Sequence, residues 1–342
     1  MEKRQANSLT LLNLISGQTL KAERSMTNKL SGLELLRFMA ALAVVFYHIP
    51  SIGIGTFGVD VFFVISGFVM MLSTSKNTHQ FLLKRIIRIV PLYWLATLGV
   101  FAIAIIMPSV LKNTDASILD LIKSLLFIPF DKNGVGHQPV LAVGWTLNYE
   151  MYFYALFALS CLISKRYRGI ITVVLLEANI FLLSTFGSFV ANTYSDLIVL
   201  EFGLGIALYL LLNKDAFQTV AVLTLISICS LINYEEGHRF FVFGLPSFLV
   251  VMLFVLIGNR FSKSPLIPVL GGSSYALYLC HSYIIRVFDR LVDWFFNENI
   301  FLTILAVLIS VIGSIIVSIL LFKYFESPVL DYLRQKLVKK HL

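Results

Sequence analysis

Charge is scarce in this sequence. Lys, Arg, Asp and Glu make up 13% of its 342 residues, where a soluble domain carries about a quarter. An ordinary soluble globular domain is thereby excluded. Cysteine is equally thin: Cys161, Cys229 and Cys280 are scattered through apolar stretches, so neither a disulfide framework nor a Cys-based metal motif is implied. The six histidines, at 48, 79, 137, 238, 281 and 341, are too far apart to show metal-ligand spacing, and no metal is expected. No Gly-rich phosphate loop, HExxH or nucleophile elbow is present. No period between about 20 and 50 residues repeats, which excludes a solenoid. Residues 11–16 form too short an apolar core for a cleavable signal.

What is abundant is hydrocarbon: 58% of the residues are hydrophobic. Apolar runs near the length that crosses a bilayer, about 20 residues, recur at 33–50, 57–74, 89–107, 141–163, 169–187, 193–212, 217–233, 240–257, 270–290 and 300–322. The expected fold is all-α: a polytopic membrane bundle of about ten transmembrane helices. Basic residues set its orientation, because short cytoplasmic loops are enriched in Lys and Arg. Lys21, Arg24 and Lys29 precede the first span, and Lys76, Lys84, Arg85 and Arg88 lie before the third. Lys165, Arg166 and Arg168 follow the fourth, Lys214 the sixth, and Arg260 with Lys263 the eighth. These fall on one side if both termini are cytoplasmic. The net charge of +8 then reads as orientation signal and contact with anionic lipid, not as a nucleic-acid footprint. Residues 1–30 read as a disordered tail, 31–330 as one transmembrane domain and 331–342 as a basic cytoplasmic tail. The longest connection, 108–140, carries the apolar stretch ILDLIKSLLFIPF, too short and too charged to span, so it lies along the interface or over the bundle mouth.

A few polar residues sit where hydrocarbon should exclude them. Arg37 and His48 are eleven residues apart in the first span. At about 100° per residue they return to within about 20° of each other, roughly 16 Å apart along the axis. Such groups face a bundle interior or a wet cavity. GVDVFFVISGF places Asp60 at the start of the second span at the depth of His48. There it either fixes the imidazole or serves the helix N-terminus, and the two are compatible. FLLKRIIRIVPLYW puts Lys84, Arg85 and Arg88 at the entrance of the third span. They are ordinary cytoplasmic anchors or a clamp for a phosphorylated ligand. VGWTLNYEMYFY carries Trp145, Asn148, Tyr149 and Glu150 inside the fourth span. A carboxylate at that depth is protonated or paired, whether it locks helices together or serves a site. SYALYLCHS carries His281 in the ninth span, as a packing group or as a participant. Glu177, Asp196 and Glu201 carry no reading of their own.

Taken in order, Arg37 with ten residues before His48, then GVDVFFVISGF, RIIRIVPLYW, GWTLNYEMYFY and SYALYLCHS, resemble the membrane acyltransferase 3 family. The closest flavour is the branch that modifies bacterial exopolysaccharides. The resemblance runs from about residue 33 to the ESPVL segment at 326–330. It implies an acyl group, usually acetyl from acetyl-CoA, moved to a hydroxyl of a cell-surface polysaccharide or its lipid-linked precursor, in the inner (cytoplasmic) membrane of a bacterium. It marks Arg37, His48, Arg85 and Arg88 as functional. On that footing Arg85, Arg88 and Lys84 hold the donor phosphates and Arg37 meets the phosphates or the start of the pantetheine arm. His48 is general base, or transiently acylated, with Asp60 holding it. Glu150 or His281 orients the acceptor or the oxyanion. Unlike some relatives, the chain is expected to act without a fused esterase-like domain, and its GWTLNYE differs from the Ser-containing variant of other branches. Two rivals stay open. One is a non-enzymatic carrier with Arg37 and His48 along its path, although no inverted-repeat halves are visible. The other is a succinyl donor, which an extra basic residue at the reacting end would favour and for which the sequence offers no candidate.

Overall fold

Inside a bilayer every backbone N–H and C=O must be paired within its own segment, so apolar runs of this length become helices. The computed structural model describes residues 30–49, 52–107, 117–132, 134, 136–233, 238–295 and 300–338. Of the tail expected at 1–30, residues 1–29 lie outside them. Each of the ten apolar stretches carries helix. They run as α1 Leu30–Tyr47, α2 Phe57–Ser73, α3 Phe81–Ile106, α5 Trp145–Ile163 and α6 Arg168–Leu183. After these come α8 Leu200–Leu212, α9 Ala216–Ile232, α10 Leu245–Ile257, α11 Leu266–Phe295 and α12 Ile300–Leu321. Three shorter helices complete the order: α4 Ile118–Leu125, α7 Phe189–Tyr194 and α13 Ser327–Leu337. The architecture is all-α. Among the described residues five helices are long and apolar enough to cross a membrane, and α2 and α9 are shorter apolar helices. The chain is an integral membrane protein, and its surface agrees: Leu308, Ile312, Ile316 and Leu320 of α12, and Leu245, Leu249, Leu253 and Leu256 of α10, are exposed.

The structure moves three expected boundaries. α3 begins at Phe81, eight residues earlier than the apolar count suggests, because Lys84, Arg85 and Arg88 are helical and the two arginines turn into the bundle. The run at 193–212 is broken: α7 ends at Tyr194, and Asp196 accepts from Ile198 N at 2.9 Å to start a 3₁₀ turn leading into α8. The division expected at 330/331 falls within α13, whose Leu330 is buried.

Close helix approach comes from small residues. α2 and α8 meet backbone to backbone: a Cβ on Gly67 would stand 2.0 Å from the Phe202 carbonyl oxygen, and one on Gly205 would stand 2.0 Å from that of Val64. Beside that seam Phe153 and Phe202 stack at 4.2 Å between ring centroids and Phe63 lies 4.6 Å from Phe202. Arg168, read from sequence as a topology anchor, is buried and ties α6 to the end of α2. Its Nε donates to Thr74 Oγ1 at 3.0 Å and it also reaches the carbonyls of Met71 and Lys165. Arg85 NH2 donates to Ser73 Oγ at 2.8 Å. The basic α2–α3 and α5–α6 junctions therefore sit at one end of the bundle.

The connection before α5 folds back against α3. Tyr93 Oη donates to the Ser124 carbonyl and Trp94 Nε1 to that of Leu125, each at 3.0 Å. The stretch expected to lie along the interface or over the bundle mouth is a short helix docked midway along α3. Pro91 within α3 offers no N–H to the Ile87 carbonyl, and in the same loosened turn Tyr275 Oη donates to the Ile89 carbonyl at 2.9 Å.

Candidate active site

Helical periodicity gives α1 two faces. Leu36, Met39, Ala40, Ala43 and Phe46 border an apolar groove against α2 and α10. Arg37 turns the other way, into a cavity between α1, α2, α3, α5 and α11 with about 90 Å³ open to the centre of a water molecule. That is room for several waters. Its polar lining is Arg37, Ser66, Arg85, Arg88, Thr146, Glu150, Tyr154, Tyr275 and Tyr278. Three guanidinium groups face one carboxylate there, so the chamber favours an anion. Glu150 is held by Tyr154 Oη through a short hydrogen bond and by Ser66 Oγ at 3.4 Å. It also lies within electrostatic reach of Arg37. Arg88 stands 3.7 Å from Glu326, the last residue of a π-helical turn, Phe322–Glu326. π turns in otherwise α-helical segments recur at functional sites. Arg85 lies 6.0 Å from the Tyr154 ring, and its buried Nε has no partner. An unpaired buried donor among three cations fits an anionic ligand. Lys84 does not join them: it is exposed and donates to the His79 carbonyl at 3.2 Å.

α11 carries the wall of this chamber onward. Tyr278 Oη donates to the Val143 carbonyl at 3.0 Å and shares a 2.8 Å bond with Thr146 Oγ1, closing one end. Its ring centroid is 6.1 Å from that of His281, one turn further along. His281 is fully buried, and its Nε2 stands 3.2 Å from Nδ1 of His48. His48 itself is exposed at the end of α1. The basic chamber and the imidazole pair are thus separated by the Tyr278 ring.

Asp60 does not hold His48. Its side chain is fully buried and its Oδ2 accepts from Arg239 NH2 at 2.7 Å. Asp60 lies in the first turn of α2, where its charge suits the helix dipole, on the side packed toward α8 and α10. There it neighbours Glu201, which is also fully buried. Arg239 sits just before a second π-helical turn, Phe240–Gly244. Sequence reasoning did not single out Arg239, and it left Glu201 uninterpreted. The signal available for Glu201 was a carboxylate inside an apolar run, which requires a partner.

Two further basic groups were missed. Arg286, exposed one turn beyond His281, lies within electrostatic reach of His48; it is an extra basic residue of the kind for which the sequence offered no candidate. His137, in the loop before α5, bonds Asn148 Nδ2 through its Nε2 at 2.8 Å. Burial pushes the His137 imidazole down to about 4. Among the described residues no group of three or more His, Cys, Asp or Glu converges as a metal site.

The acyltransferase domain family matches residues 30–323. The chain belongs to that family. It is an acyltransferase, and the match takes in both the basic chamber and the imidazole pair. It is 33% identical to the exopolysaccharide production protein ExoZ of Rhizobium meliloti (strain 1021), over 68% of this chain and 78% of that protein. It is 26% identical to a protein of Acidianus two-tailed virus that carries the provisional name acetyltransferase ORF330, over 72% of this chain and 80% of that one. No solved structure matches it.

Proposed function

We propose that this protein moves an acetyl group from acetyl-CoA to a hydroxyl of a cell-surface polysaccharide or of its lipid-linked precursor. We place it in the cytoplasmic membrane with about ten spans and the basic junctions facing the cytosol. The observation that carries the reading is the convergence of Arg37, Arg85 and Arg88 on one chamber whose far wall, Tyr278, touches the His48–His281 pair. The name of ExoZ supports a polysaccharide acceptor.

The nucleotide of acyl-CoA is anionic and stays at the basic end, where the three guanidinium groups pair with phosphate. The uncharged arm extends toward Tyr278, whose ring stands between the chamber and the imidazole pair, and that ring swings aside to let the thioester meet His48. The acceptor oxygen attacks the thioester carbon, forming the ester bond. The carbon–sulfur bond breaks, and the hydroxyl proton passes by way of His48 to the departing thiolate, giving free CoA. General-base action of this kind contributes on the order of a hundred- to ten-thousand-fold. Glu150 serves the chamber, where it is held by Tyr154 and Ser66 and counters the charge of Arg37.

Arg286 supports a second reading, in which the transferred group is itself anionic, as in succinyl-CoA. One experiment separates the readings. Purified protein in nanodiscs receives acetyl-CoA or succinyl-CoA with polysaccharide or lipid-linked saccharide, and both CoA release and acylated glycan are measured. Acceptor-dependent release from acetyl-CoA supports the proposal; preference for succinyl-CoA supports the second reading. A carrier releases no CoA from either donor, and that outcome refutes both.

A further inference from the structure

Two imidazoles in contact leave their protons to be assigned, and here two backbone carbonyls assign them. His281 Nδ1 lies 3.1 Å from the Leu277 carbonyl oxygen. A carbonyl only accepts, so this nitrogen carries the hydrogen, and in the neutral ring Nε2 is left with its lone pair. That lone pair faces His48 Nδ1 at 3.2 Å. His48 Nδ1 in turn lies 2.9 Å from the Val44 carbonyl oxygen. With acceptors on both sides, His48 Nδ1 must also carry hydrogen. The opposite arrangement would set a ring lone pair against a carbonyl oxygen twice. His281 lies within α11 and His48 directly follows α1, and each ring bonds the carbonyl four positions back; α11 thus fixes the His281 donor, while the His48 donor is shared between the Val44 carbonyl and the His281 ring across the interhelical contact.

We infer that His281 is a positioning residue for His48: it accepts the Nδ1 hydrogen, fixes the tautomer, and leaves His48 Nε2 as the proton acceptor on the exposed edge of the ring. The inference rests on the reading of His48 as general base. When Nε2 takes the acceptor's proton, the imidazolium keeps its Nδ1–H between two acceptors, the Val44 carbonyl and the His281 ring. The charge is stabilised without a buried carboxylate. His281 does not touch the reacting atoms, and its complete burial holds it to one orientation. Asp60, already bonded to Arg239, is not needed for this task.

The test begins with the unaltered full-length protein. Nitrogen-15 NMR of histidine-labelled protein in detergent micelles, with the His48 signals identified by their loss in His48→Gln, reads the tautomer directly above the titration range. The expected pattern is a protonated Nδ1 and an unprotonated Nε2. In His281→Ala the His48 population shifts toward the Nε2–H form. Turnover then falls about ten- to a hundredfold, less than the ten-thousandfold of a fully wrong tautomer because Val44 still holds the ring. The KM for the acyl donor stays unchanged. His281→Gln, whose amide oxygen can accept the Nδ1 hydrogen, restores the tautomer and part of the turnover. A hydrogen on Nε2 of wild-type His48, or an unaltered His48 tautomer in His281→Ala, overturns the inference. The wild-type measurement needs no variant to fold and no acceptor to be known. Its failure is therefore distinguishable from absence of acyl transfer, which would refute the proposed function instead.

Discussion

Removing Asp60 and Arg239 one at a time separates a structural pair from a catalytic support. The two side chains meet at 2.7 Å, but they are not equivalent: Asp60 is fully buried, while the Arg239 side chain is 38% exposed. Taking one partner from a buried pair costs about 3–5 kcal/mol because the other charge is left without compensation. Arg239→Ala leaves the Asp60 carboxylate without its counter-charge, with only the Glu201 side chain bonded beside it. Protonation limits the loss, since neutralising an ordinary aspartate at pH 7 costs about 4 kcal/mol. We expect about 3 kcal/mol for Arg239→Ala. Asp60→Asn leaves a guanidinium that water already reaches, so screening and rehydration reduce the cost to about 1 kcal/mol. Thermal unfolding of detergent-solubilised protein ranks the two variants, and CoA release per folded molecule reads the chemistry. Arg239→Ala should melt well below Asp60→Asn, and both should retain turnover when folded. If Asp60→Asn melts like wild type yet loses turnover by orders of magnitude, Asp60 acts on His48 and the reasoning fails.

Three further outcomes are expected. Arg85→Ala or Arg88→Ala should raise the KM for acetyl-CoA about ten- to a hundredfold, the worth of a charge-assisted contact, and flatten its dependence on ionic strength. Lys84→Ala, whose ammonium bonds the His79 carbonyl outside the chamber, should leave both unchanged in the same kinetic assay. His48→Ala should retain acetyl-CoA binding by calorimetry while transfer falls about a hundred- to ten-thousand-fold. For His137 the folded protein favours the neutral ring, with the imidazole down at about 4 against about 6.5 when unfolded. The unfolded chain therefore binds more protons between these values, and stability falls as pH is lowered from about 6.5 to 4. His137→Asn should flatten that slope in thermal unfolding followed against pH.

What the sequence made legible was governed by one helix at a time. The turn of a helix sets Arg37 and His48 on one stripe, and three-residue spacing carries Arg85 and Arg88 together. The same regularity places Glu150 and Tyr154 a turn apart, where they bond. Each of these follows from 3.6 residues per turn and from the aversion of hydrocarbon to charge. What stayed hidden was which helix answers which. Asp60 and His48 enter the bundle at similar depth, and depth alone made them candidates for each other. The partner each one has is set by rotation about the helix axis and by neighbours 179 and 233 residues away. The close Gly67–Gly205 seam draws α2 onto α8 and turns Asp60 toward Glu201 and Arg239. α11, packed along α1's other side, brings His281 to the imidazole instead. A buried carboxylate beside His48 would have made a stronger base at the cost of a second desolvated charge. A neutral ring orients it without that cost, and the one carboxylate of the basic chamber, Glu150, is kept where three guanidinium groups already require a counter-charge.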